Sequence, residues 1–355
     1  MEITFEKATA FKDHPDDSAL GFGTIFTDYM FNMDYSQDKG WHNPRIEPYG
    51  PIAMDPSTMV LHYGQAIFEG LKAYRTESGG VQLFRPMDNF KRFNKSAKRL
   101  CIPEFDEEFV LKALLKLLAV EKDWVPGAPG TSLYIRPTIV AMDPYLGLRS
   151  SFTYRFFIIL SPVGAYYPEG FDPVKIWVTP DYVRAVRGGV GEAKTAGNYA
   201  ASLYATDLAN ADGYTQVMWL DGVDLKYVEE VGSMNIFFLI GDEVVTPELT
   251  GSILSGVTRN SVMQLATSWG KKVVERRISI DEIFSAHESG ELKEVFGSGT
   301  AAVISPVGNI KYQGKEITIG DGNVGPFAAK LFKELMDIQY GKAEDPFGWI
   351  VKVEE

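Results

Sequence analysis

The sequence predicts a two-domain α/β protein, and three observations carry that expectation. Its 355 residues suffice for two domains that each bury a core. Strand-like and helix-like patterns alternate through the first half. After "GAYYPEGFDP" (164–173), rich in Gly, Pro and Tyr, the pattern restarts and becomes richer in strands. The expected division is an N-terminal α/β domain over 1–163, a linker over 164–173 and a C-terminal domain over 174–355.

The elements follow in order. "TIFTDYMFNMDYSQ" (24–37) and "GVQLFRP" (80–86) carry β-branched and aromatic residues in short runs and read as strands. "MDNFKRFNKSAKRL" (87–100) and "EEFVLKALLKLLAVEKDW" (107–124) repeat their apolar residues at helical spacing. "TSLYIRPTIVAMD" (131–143) and "SFTYRFFIILSPV" (151–163) read as strands around the turn-rich "PYLGLRSS". Beyond the linker, "VKIWVTP", "TQVMWL", "KKVVERRIS" and "GTAAVISPVG" read as strands. "FFLIGDEVVTP" reads as a hairpin about Gly241–Asp242. Helical patterns occupy "GNYAASLYATDLANADG", "SGVTRNSVMQLATSWG" and "GPFAAKLFKELMDIQYG". No G-x-G-x-x-G opens a helix after a strand, so a Rossmann nucleotide site has no direct support.

Composition narrows the function. A formal net charge of −12 argues against a non-specific nucleic-acid binder, which needs a basic surface. The longest apolar runs, "RFFIIL" and "MNIFFLI", fall far short of the ~20 residues that span a bilayer. The N-terminus lacks the basic start and apolar core of a signal peptide, so a cytoplasmic protein is expected. Cys101 is the only cysteine, and the four histidines show no metal-ligand spacing, so no metal site is expected.

The densest chemical signal is "RGGVGEAKTAGNYAASLYA" (187–205), where Lys194 lies among glycines and alanines that let a backbone approach something bulky. Three readings are open. One is a phosphate loop, but G-x-x-x-x-G-K-[ST] requires glycine at 193, where this chain has Ala193, and "TAGNY" is a poor helix start. Another is a surface lysine beside a turn. The third is a Schiff-base lysine, whose amine must lose its proton near neutral pH although free lysine titrates near ~10.4. Desolvation and nearby cations such as Arg184 and Arg187 lower that value.

Other segments add context. "EEVGSMNIFF" (229–238) places Glu230 before a buried strand, where a carboxylate needs a cationic partner, either an arginine or a protonated ring nitrogen. "SGVTRNSVMQLA" (255–266) puts Ser255 or Gly256 at a helix N-terminus suited to phosphate or to ordinary capping. "FGSGTAAV" (296–303) offers a glycine-loosened turn with the hydroxyl of Thr300, and "FRPMDNFKRF" (84–93) holds Arg85 and Arg92.

Taken together, "YGQAIFEGLKAYR", "LFRPMDNFKRF", "LYIRPTIVAMDPYLGL", "SPVGAYYPEG", "GGVGEAKTAGNY", "EEVGSMN", "SGVTRNSV" and "GSGTAAVISPVG" resemble the branched-chain aminotransferases of fold-type IV. The resemblance runs in order over roughly 60 to 310. It implies a smaller N-terminal and a larger C-terminal domain, with pyridoxal 5'-phosphate in the cleft between them. It also implies amino transfer between leucine, isoleucine or valine and 2-oxoglutarate in two half-reactions. Lys194 matches the lysine that binds the cofactor covalently and moves a proton between Cα and C4′. Glu230 matches the carboxylate that keeps the pyridine nitrogen protonated, so that the ring acts as electron sink. Tyr199 matches the tyrosine beside the ring's phenolate oxygen, and Ser233 stands in the ring's hydrogen-bond set. Arg92, the N–H groups of Val257 and Thr258, and Thr300 match the phosphate site, and Arg184 matches a second cofactor-side arginine.

The resemblance further implies a substrate pocket of Tyr63, Phe68, Tyr134, Tyr166 and Ala301, with Arg136 accepting the second carboxylate of glutamate. Leu148 matches a residue that reaches a partner subunit's pocket, implying a homodimer. Mammalian-type members carry C-x-x-C where this chain has Ala302 and Ser305, so no thiol switch is expected there. D-amino-acid aminotransferases, amine transaminases and aminodeoxychorismate lyases share the lysine and the glutamate and differ in the pocket. A nucleoside triphosphatase is the alternative from another class.

Overall fold

The computed structural model describes residues 1–164 and 170–354. Tyr166 and half of the expected linker lie outside the described residues. The chain forms two compact units: Met1–Tyr166 with Ala193–Ala196 and Asp337–Glu355, and Tyr167–Glu192 with Gly197–Met336. Residues 193–196 and 337–355, expected with the C-terminal domain, thus group with the first unit. Hydrogen bonding explains both. Strand Ile350–Val353 pairs antiparallel with Val81–Phe84. The 194–195 segment bonds to Ala66 and Phe68, with Thr195 bridging Ile67.

The first unit is built on one sheet with nine strands among the described residues. Its order is Thr4–Phe5, Gly40–Pro48, Tyr29–Ser36, Thr153–Val163, Ser132–Ala141, Leu71–Arg75, Val81–Phe84 and Ile350–Val353, with Ala66–Phe68 paired to Ser132–Ala141. Successive strand residues point to opposite faces. Leu133, Ile135, Ile139, Leu71 and Ala73 therefore enter the core, while Tyr134, Arg136 and Lys72 take the other face. Helices Pro86–Arg99 and Glu107–Val120 supply Phe90, Phe93, Ala97, Leu114, Leu117 and Leu118 to that core. Phe93 meets Phe156 edge to face at 5.5 Å, and both are fully buried. Phe93→Ala would leave a cavity there costing about 3–5 kcal/mol. Asp106 starts the second helix by accepting the Phe109 N–H at 3.0 Å.

The second unit holds Val228–Val231, Gln216–Leu220, Val174–Val178, Val303–Tyr312, Leu292–Gly299, Met234–Ile240, Glu243–Thr246 and Lys272–Glu275 in that order. Val228–Val231 also pairs with Met234–Ile240, so the first six strands close into a ring. Lys315–Thr318 pairs with Val303–Tyr312. The hairpin at Gly241–Asp242 forms as expected, with Gly241 at φ 55°. The turn expected over 296–303 forms at 300–302 only, because Phe296 to Gly299 extend strand Leu292–Gly299. "FGSG" carries turn residues, yet Met234–Ile240 and Val303–Tyr312 flank it and bury Val295 and Phe296. Pairing on both edges overrides local propensity.

Candidate active site

Helix Pro86–Arg99 presents two stripes. Phe90, Phe93 and Ala97 face the core, while Asn89, Arg92 and Ser96, at the same i, i+3, i+7 spacing, form a buried polar row beside them. Arg92 meets Glu69 side-on: Nε and Nη2 donate to the two carboxylate oxygens, each at 2.8 Å. Asn89 donates to Oε2 of Glu69 at 3.1 Å, and Glu69 is wholly buried. Burial opposes ionisation of Glu69, yet Arg92, with smaller help from Lys194, holds its carboxyl below the ordinary range. Sequence reading named Arg92 but missed Glu69, although it lies inside the quoted "FEG". Ser96 completes the row: its hydroxyl accepts the Lys194 N–H at 2.9 Å.

Lys194 is thereby held through its main chain in the first unit, with its carbonyl accepting the Phe68 N–H at 3.0 Å. Its half-buried side chain places Nζ 4.9 Å from the centre of the Phe68 ring. The Arg136 guanidinium lies 4.7 Å from the same ring centre and donates to the Tyr134 hydroxyl at 3.0 Å. Gly70 makes this possible, because a Cβ there would collide with the Tyr134 hydroxyl. Lys72, directly opposite Tyr134 in the strand pair, is buried, which lowers its amine to about 8.

Glu230 sits in Val228–Val231 in the second unit and is 3% exposed. Arg184 approaches its Oε2 at 2.5 Å. Oε1 accepts from Asn235 Nδ2 at 3.1 Å and from the Leu254 N–H at 3.2 Å. Of the two partners expected for Glu230, the arginine is present. Asn235 was missed by sequence, although it closes the quoted "EEVGSMN". Gly232, at φ 55°, turns the chain between the two strands, and a Cβ there would collide with the Gln216 side chain. Arg184, Tyr199, Glu230, Ser233 and Leu254 line one pocket of this unit.

Helix Val257–Ser268 begins beside that cluster. Its N-cap is Gly256, which offers no side-chain cap, and a Cβ there would collide with Asn235 Oδ1. Val257 and Thr258 are buried in its first turn. Thr300 and Ala301 occupy the turn after Leu292–Gly299, outside the lining of the pocket. Tyr63 and Leu148 join neither cluster. The Tyr63 hydroxyl donates to the Leu146 carbonyl on an exposed surface, and Leu148 is 82% exposed. Tyr166 lies outside the described residues. Ser305 is buried within its strand, and the lone Cys101 is exposed.

The phosphate-loop reading finds no strand where it needs one, since Val174–Val178 ends well before Lys194. The helix after the lysine does form, from Ala196, despite the unpromising "TAGNY". Among the described residues no group of three or more His, Cys, Asp or Glu could hold a metal ion, and no helix is long and apolar enough to cross a membrane.

A buried carboxylate fixed by an arginine, a small pocket beside it and a glycine-started helix suit an aromatic, phosphorylated cofactor, and the known proteins agree. Residues 66–310 match the amino-transferase class IV family. The chain belongs to the class IV aminotransferases, which use pyridoxal phosphate. Within that class it is 59% identical over 352 residues to "Branched-chain-amino-acid transaminase 1" of Bacillus subtilis (strain 168), covering 99% of each chain. The branched-chain amino acid aminotransferase of Escherichia coli superposes with a TM-score of 0.78 at 26% identity, covering 92% of this chain and 99% of that one. A branched-chain amino acid aminotransferase of T.th., complexed with N-(5'-phosphopyridoxyl)-L-glutamate, gives 0.73 at 26% identity, covering 92% and 98%.

Proposed function

We propose that this chain is a branched-chain-amino-acid transaminase, exchanging the amino group of L-leucine, L-isoleucine or L-valine with that of L-glutamate through pyridoxal 5'-phosphate. The observation that carries the reading is the 59% identity, over nearly the whole length of both chains, to the Bacillus subtilis transaminase.

The residues fit that cofactor. Glu230 would face the ring nitrogen, with Arg184, Asn235 and the Leu254 N–H fixing its carboxylate so that it enters the reaction already oriented. Tyr199 and Ser233, which line the same pocket, would bond the ring substituents. The uncapped N–H groups of Val257 and Thr258, with Thr300 and Arg92, would hold the phosphate. When bound, the cofactor supplies an electron sink for the charge that develops at Cα. Lys194 supplies the amine that takes and returns the Cα proton, and its main-chain bonds to Phe68 and Ser96 set where that amine starts.

Phe68 offers an apolar face to a branched side chain. Arg136 and the Tyr134 hydroxyl offer donors to the second carboxylate of glutamate. The exposed apolar side chains of Tyr63, Leu146 and Leu148, the first two joined by the Tyr63 hydroxyl to the Leu146 carbonyl, support a homodimer. A cytoplasmic setting agrees with the exposed lone thiol. Assay of each L- and D-amino acid with 2-oxoglutarate tests the reading. Turnover of the three branched L-amino acids is expected, and turnover of D-amino acids alone would replace it.

A further inference from the structure

We propose that Glu69 is a positioning residue for cofactor phosphate recognition: its side-on pairing with Arg92 fixes the guanidinium so that the outer edge meets the phosphate. The inference rests on the reading of Arg92 as a phosphate ligand.

Three observations support it. The pairing takes Nε and Nη2 of Arg92, at 2.8 Å each, which sets both the plane and the rotation of the guanidinium. The carboxylate is itself immobilised: Asn89 donates to it from one turn earlier on the same helix, and the Gly70 N–H donates at 3.1 Å. The backbone on either side is tied down as well. Glu69 donates its N–H to Pro137 O at 2.8 Å, and Phe68 donates to the Lys194 carbonyl at 3.0 Å. A residue needed only to neutralise Arg92 would not require this bracing. Dipeptide 68–69 thus couples the position of the lysine main chain to the orientation of the arginine.

The test compares binding of pyridoxal 5'-phosphate with that of pyridoxal, which lacks the phosphate, to cofactor-stripped enzyme, read by fluorescence quenching. Wild type is expected to prefer the phosphorylated form by at least 100-fold. Absence of that preference would remove the cofactor reading itself. Glu69→Gln keeps the acceptor for Asn89 but loses the charge and the side-on geometry. It is expected to weaken pyridoxal 5'-phosphate 10- to 100-fold and pyridoxal less than 3-fold. Glu69→Asp, which keeps the charge at the wrong reach, is expected to lose about 3- to 10-fold of the preference and serves if the glutamine variant does not fold. Equal weakening of both ligands, or full preference retained in the folded variants, would leave Glu69 as a structural counter-ion and overturn the inference.

Discussion

Arg184 and Glu230 form a buried ion pair at 2.5 Å, with side chains 8% and 4% exposed. Arg184 also donates to the carbonyls of Gly191, at 3.2 Å, and Ser252. Glu230→Gln therefore removes a counter-charge as well as the group assigned to the ring nitrogen. Breaking a buried pair on one side costs about 3 kcal/mol or more. The variant is expected to melt at lower temperature and to lose turnover by at least 100-fold, or about 2.7 kcal/mol of barrier. Thermal unfolding and single-turnover spectra check the two effects separately. Near-normal turnover would detach Glu230 from the chemistry.

Arg136 stacks on Phe68 and bonds Tyr134, so it sits where an apolar surface changes to a polar one. Arg136→Met keeps much of the packing and removes the charge-assisted donor. Losing such a bond costs about 1.5–3 kcal/mol, so glutamate and 2-oxoglutarate should suffer roughly 10- to 100-fold while leucine changes little. Half-reactions measured separately decide it. Equal losses on both would reduce Arg136 to a support of the fold.

Glu121 follows helix Glu107–Val120 and is 2% exposed. Burial raises its carboxyl from 4.5 to about 7; donors from Tyr29 and Thr27 and the charge of Lys12 oppose this, while Asp28 adds to it. Between those two values the folded chain keeps a proton that the unfolded chain has released. Stability therefore falls as pH rises from about 4.5 to 7, by about 1.4 kcal/mol per pH unit and about 3 kcal/mol in all. Glu121→Gln should raise the melting temperature at pH 8 and leave it nearly unchanged at pH 4. Unfolding curves across that range that fall equally in both proteins would refute the assignment.

Much of the fold was legible because its strongest elements are periodic. Helix Pro86–Arg99 forms within a residue of its expected bounds, Glu107–Val120 starts as expected and ends four residues early, and strand Ser132–Ala141 falls inside the expected 131–143. Gly40–Pro48 was not read as a strand, because "GWHNPRIEP" lacks an apolar alternation and is held by pairing with Tyr29–Ser36. The site divides in the same way. Arg92, Glu230 and Arg184 were named, but Glu69 and Asn235 were not. Both act through other side chains, and their importance appears only once folding brings Arg92 against Glu69 and Glu230 against Asn235. The grouping of 193–196 with the first unit was hidden for a related reason: it follows from single hydrogen bonds of Lys194 and Thr195 to Phe68, Ala66 and the Ser96 hydroxyl, which leave no pattern in the sequence.

The central claim is that Lys194 is the amine that binds the cofactor. Borohydride reduction of the yellow holoenzyme, followed by peptide mapping, measures this directly. The buried Lys72, its amine lowered to about 8, is the competitor that the structure itself supplies. The account predicts a reduced pyridoxyl group on Lys194 alone, together with loss of the visible band. A label on Lys72, or on any lysine other than Lys194, would contradict it.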